Sequence, residues 1–381
     1  MDITLLYLLG FNLLLFALFK FTRKKKFFGP LFSFLFTTLV TLSVVEIIYR
    51  AFIKKSTVTE SGNYGGSLNQ LNSTYGYTVK GIPSITHIKV LKNGDTVFNC
   101  QYSIIPDSGI NVQDINHRVG YKPGQAASDS ELVFLGCSFT FGSGINDTST
   151  LPYLAGELGN IESVNMGGAG WGTHHVYQLF THKYRNVPGN KKRVFIYSFI
   201  PDHVVRAKCI YSWSLNDPYF EVESDSLKYE GAAYKYSGYA RWHVIVRILS
   251  LNRALSFISD LGNIFITMSG SKNLDEEDYQ RVELMMQNIN SIAKSRGDRF
   301  IIVHWDDYKG LTPKDEPYVK KDKMAAILSR LQSEGVEIVN VNDVLDTNDP
   351  TNTIPHDQHP NHKANSLLAR RLVQLVMPGN E

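Results

Sequence analysis

The sequence has little cysteine and little net charge. Cys100, Cys137 and Cys209 are far apart and form no C-x-x-C pair. This spacing argues against a multi-disulfide framework and against a zinc site, although one disulfide stays open. The net charge of +3 becomes −2 once the five positive residues of one N-terminal segment are set aside. The rest of the chain therefore lacks the basic excess that binds nucleic acid, and we predict no nucleic-acid partner.

Long apolar runs occur only at the N-terminus. Residues 3–19 and 27–49 are apolar over 17 and 23 positions, and about 20 residues of helix are needed to cross a bilayer. The sequence therefore predicts a membrane hairpin of two transmembrane helices over residues 1–55, with the lipid bilayer as a partner. A cleavable signal peptide is the alternative for the first run, but its start, MDITLL, lacks basic residues.

Basic residues cluster between the two apolar runs. KFTRKKK, residues 20–26, holds five positive charges, and a smaller basic group follows the second run. The positive-inside rule places the denser cluster in the cytoplasm, so the rest of the chain is predicted to be extracytoplasmic. Glu46 lies four residues before Arg50 and is interpreted as an interfacial residue with an ion-pair partner. A functional carboxylate inside the membrane is the alternative.

The residues after the hairpin divide by composition. Residues 56–76 are rich in Ser, Thr, Asn and Gly and predict a linker. Residues 77–130 hold short β-type runs around the turn KNGD and predict a small β-rich module. In residues 131–381, apolar runs alternate with helical stretches, which predicts an α/β domain with a parallel sheet flanked by helices on both faces.

This alternation predicts individual elements of the last domain. The predicted strands are 131–137, 161–168, 192–200, 299–305 and 336–341. The predicted helices lie near 150–158, 174–186, 241–259, 274–296, 317–334 and 361–377. An insert rich in Tyr and Trp, residues 203–298, separates the third and fourth strands. Its aromatic rings could line a sugar-binding lid, but a local core is the commoner arrangement.

Ser138 stands at the end of the first of these strands, in VFLGCSFTFGSG (residues 133–144). A strand that ends in Gly-x-Ser can expose the hydroxyl at the sheet edge, with backbone N–H groups facing the same point. The alternative is a serine that caps the next helix. A nucleophilic serine needs a base, and histidines are dense only in IPHDQHPNHKANSLLARRL, residues 354–372.

The three histidines of this segment also suggest a metal site. His356, His359 and His362 recur at every third position, with Asp357 as a fourth candidate ligand. Pro360 should start a helix between them, so the histidines do not share one helix face. We therefore predict no metal and no cofactor.

Over residues 131–376 the chain resembles the SGNH (GDSL-type) hydrolase family, which implies a flavodoxin-like fold. FLGCSFTFGSGI resembles the family's first motif, LGDSFTFGxGV, with Cys137 in place of the usual Asp. The resemblance implies that Ser138 is the nucleophile and that its own N–H is one donor of the oxyanion hole. In VNMGGAGWGT, the glycine five places after Asn165 is Gly170, which the resemblance makes a second donor.

Two other family motifs are altered. The third motif normally donates an Asn amide to the oxyanion, whereas SFIPDHVVR places Asp202 there, followed by His203. An ionised carboxylate cannot donate a hydrogen bond, so the Asp202 region is only a candidate part of the oxyanion hole. The last motif is Asp-x-x-His, and His359 corresponds to its base. The residue three before it is His356, so Asp357, two before it, is assigned as the orienting acid, because an extended backbone would place alternate side chains on the same side.

The resemblance implies a serine esterase that hydrolyses acyl esters through an acyl-Ser138 intermediate, and the predicted hairpin over residues 1–55 would anchor it to the membrane. An extracytoplasmic site suggests an acetylated surface polysaccharide or cell-wall glycan as the substrate. Two alternatives stay open. One is an O-acyltransferase that passes the acyl group to a glycan hydroxyl, and the other is a catalytically inactive domain that binds glycan or a membrane partner.

Overall fold

The computed structural model describes most of the chain. It covers residues 28–54, 58–106, 115–124, 130–185, 191–250, 255–268, 273–306 and 319–377, with Gly10, 12–14, 16–17 and Lys20. Contacts divide the chain into two units. The N-terminal unit is Met1–Thr57 with Arg241–Ser271, and the sheet unit is Val58–Ala240 with Lys272–Glu381.

The strands all belong to the sheet unit. In chain order they are β1 (Val58–Gly62), β2 (Asn69–Asn72), β3 (Gly76–Val79), β4 (Ser84–Leu91), β5 (Thr96–Pro106), β6 (Asn116–Arg118), β7 (Ser130–Gly136), β8 (Glu162–Gly167), β9 (Lys192–Phe199), β10 (Pro218–Glu223), β11 (Ser226–Ala232), β12 (Arg299–His304) and β13 (Glu337–Asn340). Nine of them form one sheet in the order β1-β4-β5-β6-β8-β7-β9-β12-β13. The pairs β2–β3 and β10–β11 form separate two-stranded sheets.

The helices occur in both units. They are α1 (Phe28–Ile48), α2 (Ser138–Phe141), α3 (Leu151–Gly159), α4 (Thr173–Leu179), α5 (Asp202–Ala207), α6 (Ala233–Tyr236), α7 (Gly238–Leu249), α8 (Ser256–Met268), α9 (Glu276–Ser295), α10 (Lys321–Ser333) and α11 (His362–Val376). Wider π-type turns, Tyr49–Ile53 and Phe180–Tyr184, continue α1 and α4. The predicted helix 241–259 is wrong as one element, because α7 and α8 replace it. Its centre, SLNRALS, holds Ser and Asn, which favour helix ends over interiors.

The parallel half of the sheet confirms the predicted α/β architecture. Strands β8, β7, β9, β12 and β13 pair in parallel and match the five predicted runs. On β7, Val133 and Leu135 belong to one apolar core, whereas Leu132 and Phe134 belong to another. Because successive side chains of a strand point to opposite faces, these two cores lie on the two sides of the sheet. Helices α4, α9 and α10 contribute to the first core, and α3 and α11 to the second.

The antiparallel half departs from the predicted organisation. The predicted linker, residues 56–76, contributes β1, which pairs with β4, and β2, which pairs with β3. Backbone pairing at a sheet edge tolerates polar side chains, so composition alone did not reveal these strands. Strands β4 to β6 of the predicted module at 77–130 extend the main sheet, and β6 pairs antiparallel with β8. The contact division therefore has no boundary at residues 76 or 130.

The N-terminal unit contains one helix that is long and apolar enough to cross a membrane, among the residues described. This stretch, Ser33–Ile53, is formed by α1 and the turn after it, and little of it is buried in the protein. Most of the first predicted span, residues 3–19, and all of the basic segment 20–26 except Lys20 lie outside the described residues. Two spans and their orientation therefore stay predictions.

Arg118, on β6, is fully buried and fixes the loop that follows α2. Its Nη1 donates to the carbonyls of Phe141 and Gly142, at 2.9 and 2.6 Å. Nη2 donates to the Ile145 carbonyl at 2.7 Å, and Nε pairs with Asp147 at 2.6 Å. One guanidinium from the antiparallel half of the sheet therefore binds the carbonyls at the end of α2 and in the loop after it. Helix α2 is the helix that begins at Ser138.

We expect Arg118→Met to lower the free energy of unfolding of the sheet unit by about 3 kcal/mol or more. It leaves four carbonyls, those of Gln101, Phe141, Gly142 and Ile145, without this donor and the Asp147 carboxylate without its ion pair. Arg330→Met is the control, because Arg330 pairs with Glu283 at the surface and such pairs are worth about 1 kcal/mol or less. Urea unfolding measures both. Equal losses would contradict the role given to Arg118.

Candidate active site

Ser138 lies at a sharp turn between β7 and α2. Gly136 ends the strand with φ +143°, and a Cβ there would lie 2.5 Å from Thr140 Oγ1 and 3.0 Å from the Ser198 carbonyl. Only glycine fits both this conformation and this space. Cys137 follows, fully buried, and takes the N-cap position of α2 without a side-chain cap bond. The capping role is therefore not assigned to Ser138, and its hydroxyl is free to face another partner.

That partner is His359. Its Nε2 lies 2.9 Å from Ser138 Oγ, although 221 residues separate the two in sequence. The ring also packs against Phe139, with centroids 5.5 Å apart. His359 precedes α11, in a loop where the Ile354 N–H donates to the His359 carbonyl at 2.8 Å. The loop thus presents the imidazole to the first residue of α2.

Asp357 holds the other side of the imidazole. Its Oδ1 is hydrogen-bonded to His359 Nδ1. The sequence reasoning invoked an extended backbone for this contact, and that reason is wrong. The backbone turns tightly, with φ +61° at His356 and +72° at Gln358, and the N–H groups of Asp357 and Gln358 both donate to the Ile354 carbonyl. The turn brings together two side chains that are two residues apart.

Lys89, on β4, completes this chain of contacts. Its Nζ donates to Asp357 Oδ2, so both carboxylate oxygens of Asp357 are engaged. Burial by itself raises the pKa of Asp357, but the hydrogen bond and charge of His359, and then those of Lys89, outweigh it and lower the pKa to about 2. Sequence reasoning missed Lys89 because it lies 268 residues from Asp357. Only the long-range course of the antiparallel strands brings the two together.

Gly170 lies in a turn next to the end of β7. The Trp171 N–H donates to the Gly168 carbonyl, and the Gly168 N–H donates to the Gly136 carbonyl at 3.0 Å. Gly170 has φ +85°, and a Cβ there would lie 2.7 Å from Tyr77 Oη. Within the described residues, the N–H groups of Gly170 and Ser138 have no intramolecular acceptor. Both are therefore available to bind an oxygen of a ligand.

Asp202 does not serve as a donor. It begins α5, directly after β9, and its Oδ2 accepts from Arg206 Nε at 2.7 Å while Oδ1 accepts from Tyr211 Oη at 2.6 Å. Arg206 Nη1 in turn donates to the Trp171 carbonyl at 2.8 Å. The carboxylate thus anchors an arginine that holds the residue after Gly170.

His203 does not replace the missing amide either. It is fully buried, and its Nδ1 lies 2.8 Å from Tyr197 Oη. Burial, and then the charge of Arg206, lower its pKa. The ring is therefore neutral at physiological pH, held inside the core beside β9. Among the predicted residues, the backbone N–H groups of Ser138 and Gly170 therefore remain the candidate donors.

The predicted histidine segment does not form a metal site in the described structure. His359 is engaged by Ser138 and Asp357, whereas His362 lies on α11 with its Nε2 3.3 Å from Ser366 Oγ. His356 is exposed.

Two other clusters have the spacing of metal ligands, the buried trio His174, His175 and Asp217 and the acidic trio Glu221, Glu223 and Glu230. The Gly172 N–H donates to His175 Nδ1 at 3.2 Å. This leaves the ring proton of His175 on Nε2, 3.4 Å from Asp217, where a metal would need a lone pair. In the acidic trio, Lys228 Nζ pairs with Glu223 and Glu230.

No protein-family model matches the chain, and a search of curated proteins finds no relative. Among solved structures, a lipolytic protein of the G-D-S-L family from Veillonella parvula DSM 2008 is similar at 10% identity and TM-score 0.39, covering 66% of this chain and 100% of that one. A GDSL-like lipase from Bacteroides thetaiotaomicron is similar at 11% identity and TM-score 0.36, covering 65% of this chain and 90% of that one. An acetyl xylan esterase from Butyrivibrio proteoclasticus is similar at 12% identity and TM-score 0.33, covering 70% of this chain and 67% of that one. At these values the function must be argued from the site of this chain itself.

The depressed pKa of Asp357 predicts a pH dependence of stability. A carboxyl whose pKa falls from 3.8 in the unfolded chain to about 2 in the native protein stabilises the protein above pH 4, and this contribution is lost as the pH falls towards 2. We expect Asp357→Asn to abolish this contribution and Lys89→Met to reduce it. Urea unfolding at pH 4.5 and 2.5 measures how much free energy of unfolding each variant loses between the two pH values, in comparison with the wild type. Equal losses in all three proteins would contradict the ion-pair network.

Proposed function

We propose that the protein is a membrane-anchored serine esterase that hydrolyses acyl esters through Ser138. One observation carries this proposal, the hydrogen-bonded chain from Ser138 Oγ through His359 to Asp357. A serine, an imidazole and a carboxylate in this order are the groups that an acyl-transfer reaction needs for a nucleophile, a base and an orienting acid.

The first half of the reaction follows from these contacts. Ser138 Oγ attacks the ester carbonyl and gives its proton to His359 Nε2, while Asp357 accepts a hydrogen bond from Nδ1 and stabilises the imidazolium. The carbonyl oxygen becomes an oxyanion that the N–H groups of Ser138 and Gly170 can bind. The C–O bond to the leaving alcohol then breaks, His359 returns the proton to that alcohol, and the acyl group stays on Ser138.

The second half repeats these steps with water. His359 takes a proton from a water molecule, which attacks the acyl carbon. The bond to Ser138 Oγ breaks, and the hydroxyl regains its proton from His359. Lys89 does not take part in these steps. It keeps Asp357 ionised and in position, and we class it as a positioning residue.

The substrate class that we infer is an acylated glycan. Trp213, from the insert, is half-exposed and stacks on Tyr211 with ring centroids 4.3 Å apart. Its Nε1 lies 3.9 Å from the place where a Cβ of Gly170 would be. A rigid, partly exposed aromatic face beside the candidate oxyanion donors suits a sugar ring. This favours the lid interpretation for this part of the insert.

Variants of the full chain test the serine mechanism with p-nitrophenyl acetate as the substrate. We expect Ser138→Ala and His359→Ala each to lower kcat by a factor of about 100 or more, because they remove the nucleophile and the base. Ser143→Ala is the matched control, since Ser143 lies five residues further along the chain, in the loop after α2, and it should keep wild-type kcat. Retention of wild-type activity by Ser138→Ala would refute the mechanism.

The proposed topology has its own test. Alkaline phosphatase fused after residue 381 is active only when exported, so we expect activity from the full-length fusion. A fusion that starts at residue 56 lacks both predicted spans and should be inactive. An inactive full-length fusion that is nevertheless produced at normal levels would place the catalytic residues in the cytoplasm.

A further inference from the structure

Helix α8 and the part of α7 from Arg241 onward belong to the N-terminal unit, and they form an antiparallel hairpin with an exposed apolar face. A Cβ on Gly262 would lie 2.5 Å from Val246 Cγ1, and the rings of Trp242 and Phe265 are 6.4 Å apart. The exposed apolar side chains recur on one side of each helix. They are Trp242, Ile245, Ile248 and Leu249 on α7 and Leu261, Ile264 and Phe265 on α8.

The hairpin is attached to α1 through Glu46. This carboxylate is fully buried, and it accepts from Ser256 Oγ at 2.5 Å and from the Phe257 N–H at 3.1 Å. It therefore binds the first turn of α8, where the helix dipole also stabilises a negative charge. Arg50 Nε donates to the same carboxylate, so the ion pair predicted from the sequence is present. Glu46 therefore binds both Arg50 and the start of α8.

A second set of contacts gives the direction of the hairpin along α1. Asp260, one turn further along α8, accepts from Tyr49 Oη at 2.8 Å and pairs with Lys54 Nζ at 3.2 Å. Helix α8 thus runs in the same direction as the end of α1. The start of α8 lies at the level of Glu46, about 12 Å back along α1 from Lys54 at a rise of 1.5 Å per residue. Because α7 and α8 pack antiparallel, the end of α7 lies at this level too.

We call the end of α7 and the start of α8 the hairpin tip, and these two helix ends lie at the level of the apolar stretch Ser33–Ile53. Ile248 and Leu249, at the end of α7, are 68% and 62% exposed. The neighbouring part of α1 exposes apolar side chains as well, among them Val44, Val45, Ile47 and Ile48. The two surfaces belong to one unit and lie at the same level. If lipid surrounds α1, the same lipid meets the hairpin.

We propose that the α7–α8 hairpin enters the outer part of the bilayer and that lipid acyl chains cover its apolar face. Trp242 lies at the opposite end of this face from the tip, and tryptophan is enriched at membrane–water interfaces. This inference rests on the proposed membrane span. It gives the insert a role that is separate from catalysis, a second and non-spanning attachment of the protein to the membrane.

Depth-dependent quenching tests the proposal on the full chain in phosphatidylcholine vesicles. The native cysteines are buried, so single added cysteines can carry a fluorophore. Ile248→Cys reports the hairpin tip and Ile47→Cys reports α1. Leu158→Cys is the matched control, because Leu158 is an exposed apolar residue on α3 of the sheet unit. We expect lipids with nitroxide-labelled acyl chains to quench the first two strongly and Leu158→Cys by less than a fifth as much.

Each other outcome overturns part of the account. Quenching at Ile47→Cys without quenching at Ile248→Cys would overturn the hairpin proposal and leave the membrane span intact. If iodide in the buffer also fails to reach Ile248→Cys, a protein surface covers the face in place of lipid. The absence of quenching at both positions would overturn the membrane span and this inference with it. Esterase activity of the labelled proteins checks that they are folded and is independent of these outcomes.

Discussion

The proposed chemistry depends on one line of polar contacts, from Ser138 through His359 and Asp357 to Lys89. Its four members come from α2, from the loop before α11 and from β4. Each contact fixes the next, because a buried carboxylate that binds a cation on one oxygen keeps the other oxygen for the imidazole. The antiparallel half of the sheet is thus part of the site, since it supplies the cation.

Backbone features place these groups. Gly136 allows β7 to turn sharply enough to put Ser138 at the start of a helix, and Arg118 fixes the loop after that helix. The tight turn at His356 and Gln358 aims Asp357 and His359 at each other. The glycine conformation and the turn are local constraints, whereas the buried guanidinium reaches across from β6. Together they place groups that are far apart in sequence.

Much of the architecture could be predicted from the sequence. The parallel strands are near-continuous apolar runs, as expected for strands covered on both faces, and the positions of most helices followed from their periodicity. The motif resemblance pointed to Ser138, His359, Asp357 and Gly170, and the first three lie in hydrogen-bond contact. Short loops with a recognisable motif carry such information within a few residues.

Features that depend on long-range pairing could not be predicted. In the sequence, nothing distinguishes Lys89 from an ordinary lysine on a strand, because its contact with Asp357 depends on the place of β4 in the sheet. Residues 58–62 looked like a linker because an edge strand is held by its backbone. The Asp202 region was a candidate part of the oxyanion hole, whereas both oxygens of this carboxylate accept hydrogen bonds, from Arg206 and Tyr211. The roles of these residues depend on which other residues they contact, and composition and periodicity do not identify those contacts.

The central claim is that the acyl group is carried by the Ser138 hydroxyl. The most direct measurement is peptide mass spectrometry of the full chain after reaction with a fluorophosphonate. We expect one phosphonylated residue, Ser138, and no adduct after His359→Ala, in which the serine has lost its base. An adduct on another residue, or esterase activity that persists with Ser138 unmodified, would contradict it.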